Sequence, residues 1–289
     1  MPFVVLTAWL LGGLGPPAFD GTRALEHVRQ LVAIGPREAG SAGAERARAY
    51  IAREIAALGL RAEPQLFEAG TPLGRIAMVN LRVAVPASSD LQGRRLVVAG
   101  HYDTKRFREF AFVGANDGGS SAGFLLELAR VLSRRPPAMP IELLFLDGEE
   151  AVVEWRGTDH TYGSRHYVQA ARRDGSLAGI RALVLVDMIA DRNLRIMRES
   201  HSTPWLTDSI WSAAKRLQRP EFVDELIAVE DDHVPFLEAG VPAVDVIDFE
   251  YPAWHTAADT LDQISARSLQ TVGDVVLEAL PEIVQRARR

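Results

Sequence analysis

The sequence contains no cysteine in 289 residues. That absence excludes disulfides, thiolate metal sites and cysteine nucleophiles, and it leaves the redox compartment open. Any metal must then be held by His, Asp and Glu, a donor set that suits zinc in an enzyme site. Excess positive charge is also missing. Lys and Arg number 32 against 38 Asp and Glu, a formal net charge of −6, which argues against a nucleic-acid footprint. Phe3 to Gly15 is apolar but too short to span a bilayer. It has the character of a signal-peptide core, yet no Lys or Arg precedes it, so packing on the core is an equal reading. The expected location follows from that choice: extracytoplasmic if residues 3–15 act as a signal, cytoplasmic otherwise.

What is present suits a globular protein. Hydrophobic residues make up 47% and charged residues 24%, enough for a substantial core. The length fits one large α/β domain or two small ones. With no internal repeat, low-complexity tract or long linker, the expectation is an apolar segment at 1–18 followed by one domain at 19–289.

Ile141 to Leu146, interrupted only by Glu142, reads as a buried strand of a parallel sheet. It ends in the turn pair Asp147-Gly148, which presents the adjacent carboxylates Glu149 and Glu150. Adjacent side chains cannot both point the same way, so one can hold a metal while the other handles a proton. The plainer alternative is that both favour the N-terminus of a following helix. Further strands are expected at Arg61–Phe67, Arg75–Val85, Arg94–Gly100, Ala182–Val186 and Ala243–Ile247. Helices are expected from about Asp20 to Ile34, Ala42 to Leu58, after Gly118-Gly119 to Leu132, Arg165 to Arg172, Pro204 to Leu217 and Val272 to Arg288. The fold class is α/β, a mixed and mostly parallel central sheet flanked by helices.

In such sheets, ligands lie beyond the carboxyl ends of the strands. His101, Asp117, Glu150, Asp187 and His255 all stand at or just past strand ends. Each alone has a plain role: His101 a satisfied loop histidine, Asp117 a helix cap, Asp187 a turn residue. Their shared rim and the lack of cysteine describe a catalytic zinc site better than a structural one. Asp103, two residues after His101, could accept the free ring N–H and fix the tautomer. Gly163-Ser164 lacks the nucleophile-elbow context, which argues against a serine hydrolase.

Taken in order, His101-Tyr102-Asp103, Asn116-Asp117-Gly118, Gly148-Glu149-Glu150, Asp187 and His255 resemble the zinc exopeptidases of peptidase family 28. Within that family the glutaminyl cyclase branch is the closer likeness. It is carried by Asp147-Gly148-Glu149-Glu150-Ala151 with Trp155 beyond, Glu230-Asp231-Asp232-His233-Val234-Pro235-Phe236, Gly240-Val241-Pro242 and Trp254-His255-Thr256. The resemblance covers roughly Asp20 to the C-terminus.

The resemblance implies one zinc ion held by Asp117, Glu150 and His255, with Glu149 as proton carrier. It implies a peptide substrate with an N-terminal glutamine, cyclised to pyroglutamate with release of ammonia. Asp187 and Asp231 would share the proton path, and their repulsion would raise an apparent pKa. Trp155, Trp254 and Tyr251, with Glu230, would form the substrate pocket. Two departures stand out: Asp245 occupies a strand position where animal cyclases carry histidine, and the Pro252–Trp254 loop is one residue shorter. The first rival is a two-metal aminopeptidase, with His101 and Asp187 completing a second site around Asp117. The second is a catalytically silent binding domain on the same fold.

Overall fold

The computed structural model describes residues 18–88 and 93–288. The apolar segment 3–15 and part of the turn at Ser88-Ser89-Asp90 lie outside them. In chain order the elements are α1 (Gly21–Ile34), α2 (Ala42–Ala57), β1 (Ala62–Thr71), β2 (Gly74–Val85), β3 (Arg95–His101), α3 (Gly119–Arg134), β4 (Ile141–Leu146) and α4 (Tyr162–Arg173). There follow β5 (Ile180–Asp187), β6 (Ile196–Glu199), α5 (Pro204–Arg216), β7 (Phe222–Ile227), α6 (Val234–Glu238), β8 (Ala243–Ile247) and α7 (Ala266–Ala287).

The central sheet has the order β1-β2-β4-β3-β5-β8. β1, β2 and β4 pair antiparallel, whereas β4, β3, β5 and β8 run parallel. All six residues of β4 are buried, as expected for a strand covered on both faces. Alternate residues divide between two cores. Val98, Leu143, Val184 and Val246 pack with α1, α3, α5 and α7 on one face. Val97, Leu144, Leu183 and Ala243 meet Tyr167, Val168 and Phe236 of α4 and α6 on the other. Glu142, the one charge inside β4, is ion-paired at 2.8 Å to both Arg82 and Arg95, which satisfies a carboxylate that burial would otherwise penalise.

The helix ends follow their capping chemistry. Asp20 accepts from the N–H groups of Thr22 and Arg23, Ser41 from Ala44, and Ser265 from Ser268. The Ser265 cap starts α7 at Ala266, earlier than the apolar periodicity suggested. No helix directly follows the Glu149-Glu150 pair. A pinned loop runs instead to Thr161, so these carboxylates are not helix-terminal residues. The two-stranded sheet β6-β7 and the short α6 were not anticipated. No helix of the described residues is long and apolar enough to cross a membrane.

Candidate active site

Because β3, β4, β5 and β8 run parallel, their carboxyl ends share one rim. β3 lies between β4 and β5, so the chain leaves it to opposite sides and a crevice opens there. Three non-glycine residues near this rim, Thr161, Met188 and His255, hold positive φ values of 48°, 46° and 53°. Such backbone strain persists only where surrounding contacts over-determine it.

β3 ends in His101, and the chain beyond it carries the fully buried Asp103. The Asp103 oxygens accept the backbone N–H groups of Glu149 at 3.3 Å and Glu150 at 3.4 Å. Asp103 therefore pins the turn that carries both glutamates. It also lies 3.4 Å from His101 Nδ1, within reach of the imidazole it is expected to orient.

The Asn116-Asp117 turn is held from beneath by Asp259, which accepts from the two backbone N–H groups at 2.8 and 3.1 Å. The Asn116 side chain then ties this turn to the end of β5 through Met188 O and Ala190 N. At Gly118, φ is 74°, and a Cβ would lie 2.3 Å from Asp103 O. Only glycine fits that approach.

Two overlapping sets of ligand atoms result. His255 Nε2 lies 3.3 Å from Asp117 Oδ2 and 3.2 Å from Glu150 Oε1. His101 Nε2 lies 3.2 Å from Asp117 Oδ1 and 3.1 Å from Asp187 Oδ1. In each set the atoms fall within 4.8 Å of one another. Asp117 Oδ2 is buried without a hydrogen-bond partner, and Glu150 Oε2 has only the Lys105 ammonium 3.5 Å away, so both keep acceptor capacity that a metal could take. This buried group of His, Asp and Glu could bind a metal. A third set, Glu199, His201 and His233, lies elsewhere. There both Glu199 oxygens already accept from His201 N, Ser202 N and the Ser202 hydroxyl, so Glu199 serves as a hydrogen-bond hub.

Glu149 and Glu150 diverge: Glu150 faces His255, and Glu149 lies 3.8 Å from His101 Nδ1. Burial pushes the Glu149 carboxyl well above its ordinary value; His101 opposes this, and Glu150, Asp231 and Asp232 add to it. Burial, followed by repulsion from Asp187, raises Asp231 to about 7. At Asp117, burial is outweighed by His101 and His255, and its pKa stays well below the carboxylate range. Burial also works against charging His255, yet Asp117 and Glu150 raise it to about 9.

These groups open on a cavity of about 520 Å³ that Trp155, Trp254, Glu230 and Asp231 help to line. The Trp155 indole N–H donates to Glu230 Oε2 at 3.4 Å, and its ring stacks on His160 at 4.2 Å. Trp254 stacks on His255 at 4.2 Å. Asp159 holds the adjoining loop by accepting the N–H groups of Val152, Val153 and Glu154. Tyr251 does not line the cavity. Its ring is buried in a small cluster with Met188 and Ile247, and its hydroxyl donates to Asp259 at 2.8 Å, so it supports the Asp117 turn from behind. Asp245 also lies behind the cavity, fully buried with neither oxygen hydrogen-bonded. His233 Nδ1 stands 3.7 Å away. Burial, with repulsion from Asp231 next, raises the Asp245 pKa well above its ordinary value.

Three supporting residues escaped the sequence reading: Arg37, Asp159 and Asp259. The Arg37 guanidinium is fully buried and donates to the carbonyls of Tyr102 at 2.9 Å, Val113 at 2.7 Å and Gly114 at 2.9 Å. It thereby clamps together the loops that bear His101 and Asp117. Isolated Arg and Asp residues in loops carry no sequence signal for such roles.

The family profile described as Peptidase family M28 matches residues 80–280. A glutaminyl-peptide cyclotransferase of Boiga irregularis is 31% identical, over 83% of this chain and 75% of that protein. The crystal structure of an Acidobacteriales bacterium glutaminyl cyclase superposes with a TM-score of 0.88 at 42% identity, covering 97% of this chain and all of that one. A leucine aminopeptidase precursor from Bacteroides thetaiotaomicron superposes with a TM-score of 0.83 at 26% identity, covering 92% of this chain and 98% of that one. Both activities are therefore named on this architecture. The profile match and the extent of these likenesses establish that the chain belongs to peptidase family M28, in the branch that contains the glutaminyl cyclases.

Proposed function

We propose that residues 19–289 form a zinc-dependent glutaminyl-peptide cyclotransferase, which converts the N-terminal glutamine of a peptide to pyroglutamate and releases ammonia. The observation that carries this reading over peptide hydrolysis is the cavity wall. Trp155, tied to Glu230, lines the same cavity as Asp231, Glu149 and the ligand set. Those wall residues belong to the motifs that favour the cyclase over the aminopeptidase, whereas the ligand residues suit either.

The donor set fits zinc. Asp117, Glu150 and His255 offer three oxygen and nitrogen ligands with no thiolate, leaving a position open for substrate. Zinc held there would supply a Lewis acid for the side-chain amide carbonyl of the substrate. Glu149 then accepts a proton from the α-amine as that nitrogen bonds to the amide carbon. It returns the proton to the departing nitrogen as the carbon–nitrogen bond breaks. Ammonia leaves, the lactam remains, and Glu149 ends the cycle as it began.

A carboxyl raised by burial suits this work, because it exchanges protons nearer neutrality than an exposed glutamate does. Asp231, at about 7, can hold a proton to share with Asp187 alongside that path. Trp155 and Trp254 flank the forming ring and keep water from the amide.

Mass spectrometry of Gln-initiated and Ala-initiated peptides after incubation with the zinc-loaded protein tests the reading. The Gln peptide should lose one ammonia and keep every residue, and the Ala peptide should be unchanged. Shortening of either peptide by one residue would assign the aminopeptidase instead.

A further inference from the structure

The cavity of about 520 Å³ carries, besides the ligand set and the proton path, two carboxylates to which the cyclisation above assigns no charge role. Glu154 and Glu230 are both exposed at this rim and line the cavity. Glu154 precedes Trp155 in the chain, and Glu230 accepts from its indole N–H. Among the described residues neither carboxylate is paired with a lysine or arginine. Glu154 has no ion-pair partner among the described residues. Glu230 approaches only His160, at 3.7 Å, and burial lowers the pKa of that imidazole and favours its neutral form.

Among the described residues lining the cavity, Lys105 is the only lysine or arginine. Its ammonium is committed inward, 3.5 Å from Glu150 Oε2 and 3.3 Å from Ala151 O. Arg156, next in the chain after Trp155, does not line the cavity. Asp159 fixes the rim by holding three successive backbone N–H groups, that of Glu154 included. The result is a rim where Trp155 lines the cavity with two carboxylates, Glu154 beside it in the chain on a pinned loop and Glu230 on its indole N–H. This arrangement suits an ammonium or guanidinium group, which gains from both the charges and the ring.

We propose that this rim is a subsite for a cationic side chain, so that the preferred substrates carry Lys or Arg directly after the N-terminal glutamine. The proposal rests on the cyclase reading above. A unit charge near each carboxylate in a largely aqueous rim changes affinity about threefold, so the pair together contribute about tenfold.

The test compares kcat/KM for Gln-Xaa-Ala tripeptides in which Xaa is Lys, Arg, norleucine or Glu. Norleucine keeps the chain of lysine without its charge. The expected order is Lys and Arg about tenfold above norleucine, with Glu below it. The spread should contract when salt rises from about 0.05 to about 0.5 M. Glu154→Gln combined with Glu230→Gln should bring the Lys-to-norleucine ratio close to one, and each single change should remove about threefold of it. Cyclisation of norleucine and Lys peptides at equal rates would overturn the subsite alone, as would a ratio that survives the double substitution. Failure to cyclise any of the four peptides would overturn the cyclase reading, and the subsite with it.

Discussion

Replacing Glu149 with glutamine keeps the size of the side chain and removes only its ability to exchange a proton. The carboxyl is almost wholly buried, and burial, against the pull of His101, leaves it well above the ordinary 4.5. A general base tuned in this way contributes about 10²–10⁴ in rate, or roughly 3–5 kcal/mol of barrier. Glu149→Gln should therefore lower kcat by that factor and change KM little. Metal should stay bound, because Glu149 is outside the set formed by Asp117, Glu150 and His255, and its loss relieves repulsion on Glu150.

The pH profile carries the same logic. The deprotonated form is the base, so activity rises as pH climbs through the folded pKa. A dication bound nearby would draw that pKa down from its metal-free position, and the acid limb with it. The limb should vanish in the variant. Steady-state kinetics on a Gln-initiated peptide, with metal content measured on the same samples, decides the matter. Residual activity within about tenfold of the parent enzyme, or loss of metal, would refute the role given to Glu149.

Other consequences follow from the supporting structure. Arg37→Met leaves buried carbonyls of Tyr102, Val113 and Gly114 without their donor, which should cost about 3–5 kcal/mol. A lowered denaturant midpoint with an unchanged slope checks this. Stripping the metal should make stability fall as pH rises. Asp231 titrates at about 7 when folded against 3.8 for the ordinary group, so the folded chain keeps a proton that the unfolded chain has released. Its contribution is complete below about pH 4 and is lost as pH climbs toward 7. Thermal melts of metal-free protein across that window should decline steadily, and flat melts would contradict the burial assigned to Asp231.

The rim was legible in the sequence because buried parallel strands read as apolar runs. Ile141–Leu146 and Ala243–Ile247 stood out for that reason, and the polar residues that end such runs must collect where parallel strands end. The small sheet was not legible. Phe222–Ile227 turns Asp224 and Glu225 to solvent and lacks a clean alternation, and five residues of α6 are too few to show a helical period. Tyr251 sits beside Pro252 in a loop next to a ligand and so resembled a pocket residue. Its ring instead turns inward, because its hydroxyl finds Asp259 there. Asp159 and Asp259 act on backbone N–H groups, which every residue carries, so no pattern of side chains announces them. Asp245 lies on the strand where it was expected but faces the buried His233 rather than the cavity.

The cyclase and aminopeptidase readings share Asp117, Glu150, His255 and Glu149, and the products separate them most directly. The most direct measurement is therefore ammonia and free amino acid quantified in the same tube, from a Gln-initiated dipeptide and the zinc-loaded protein. Ammonia in step with an intact, cyclised dipeptide, without free amino acid, is the predicted result. Free glutamine without ammonia would contradict it and point to a second metal at His101 and Asp187.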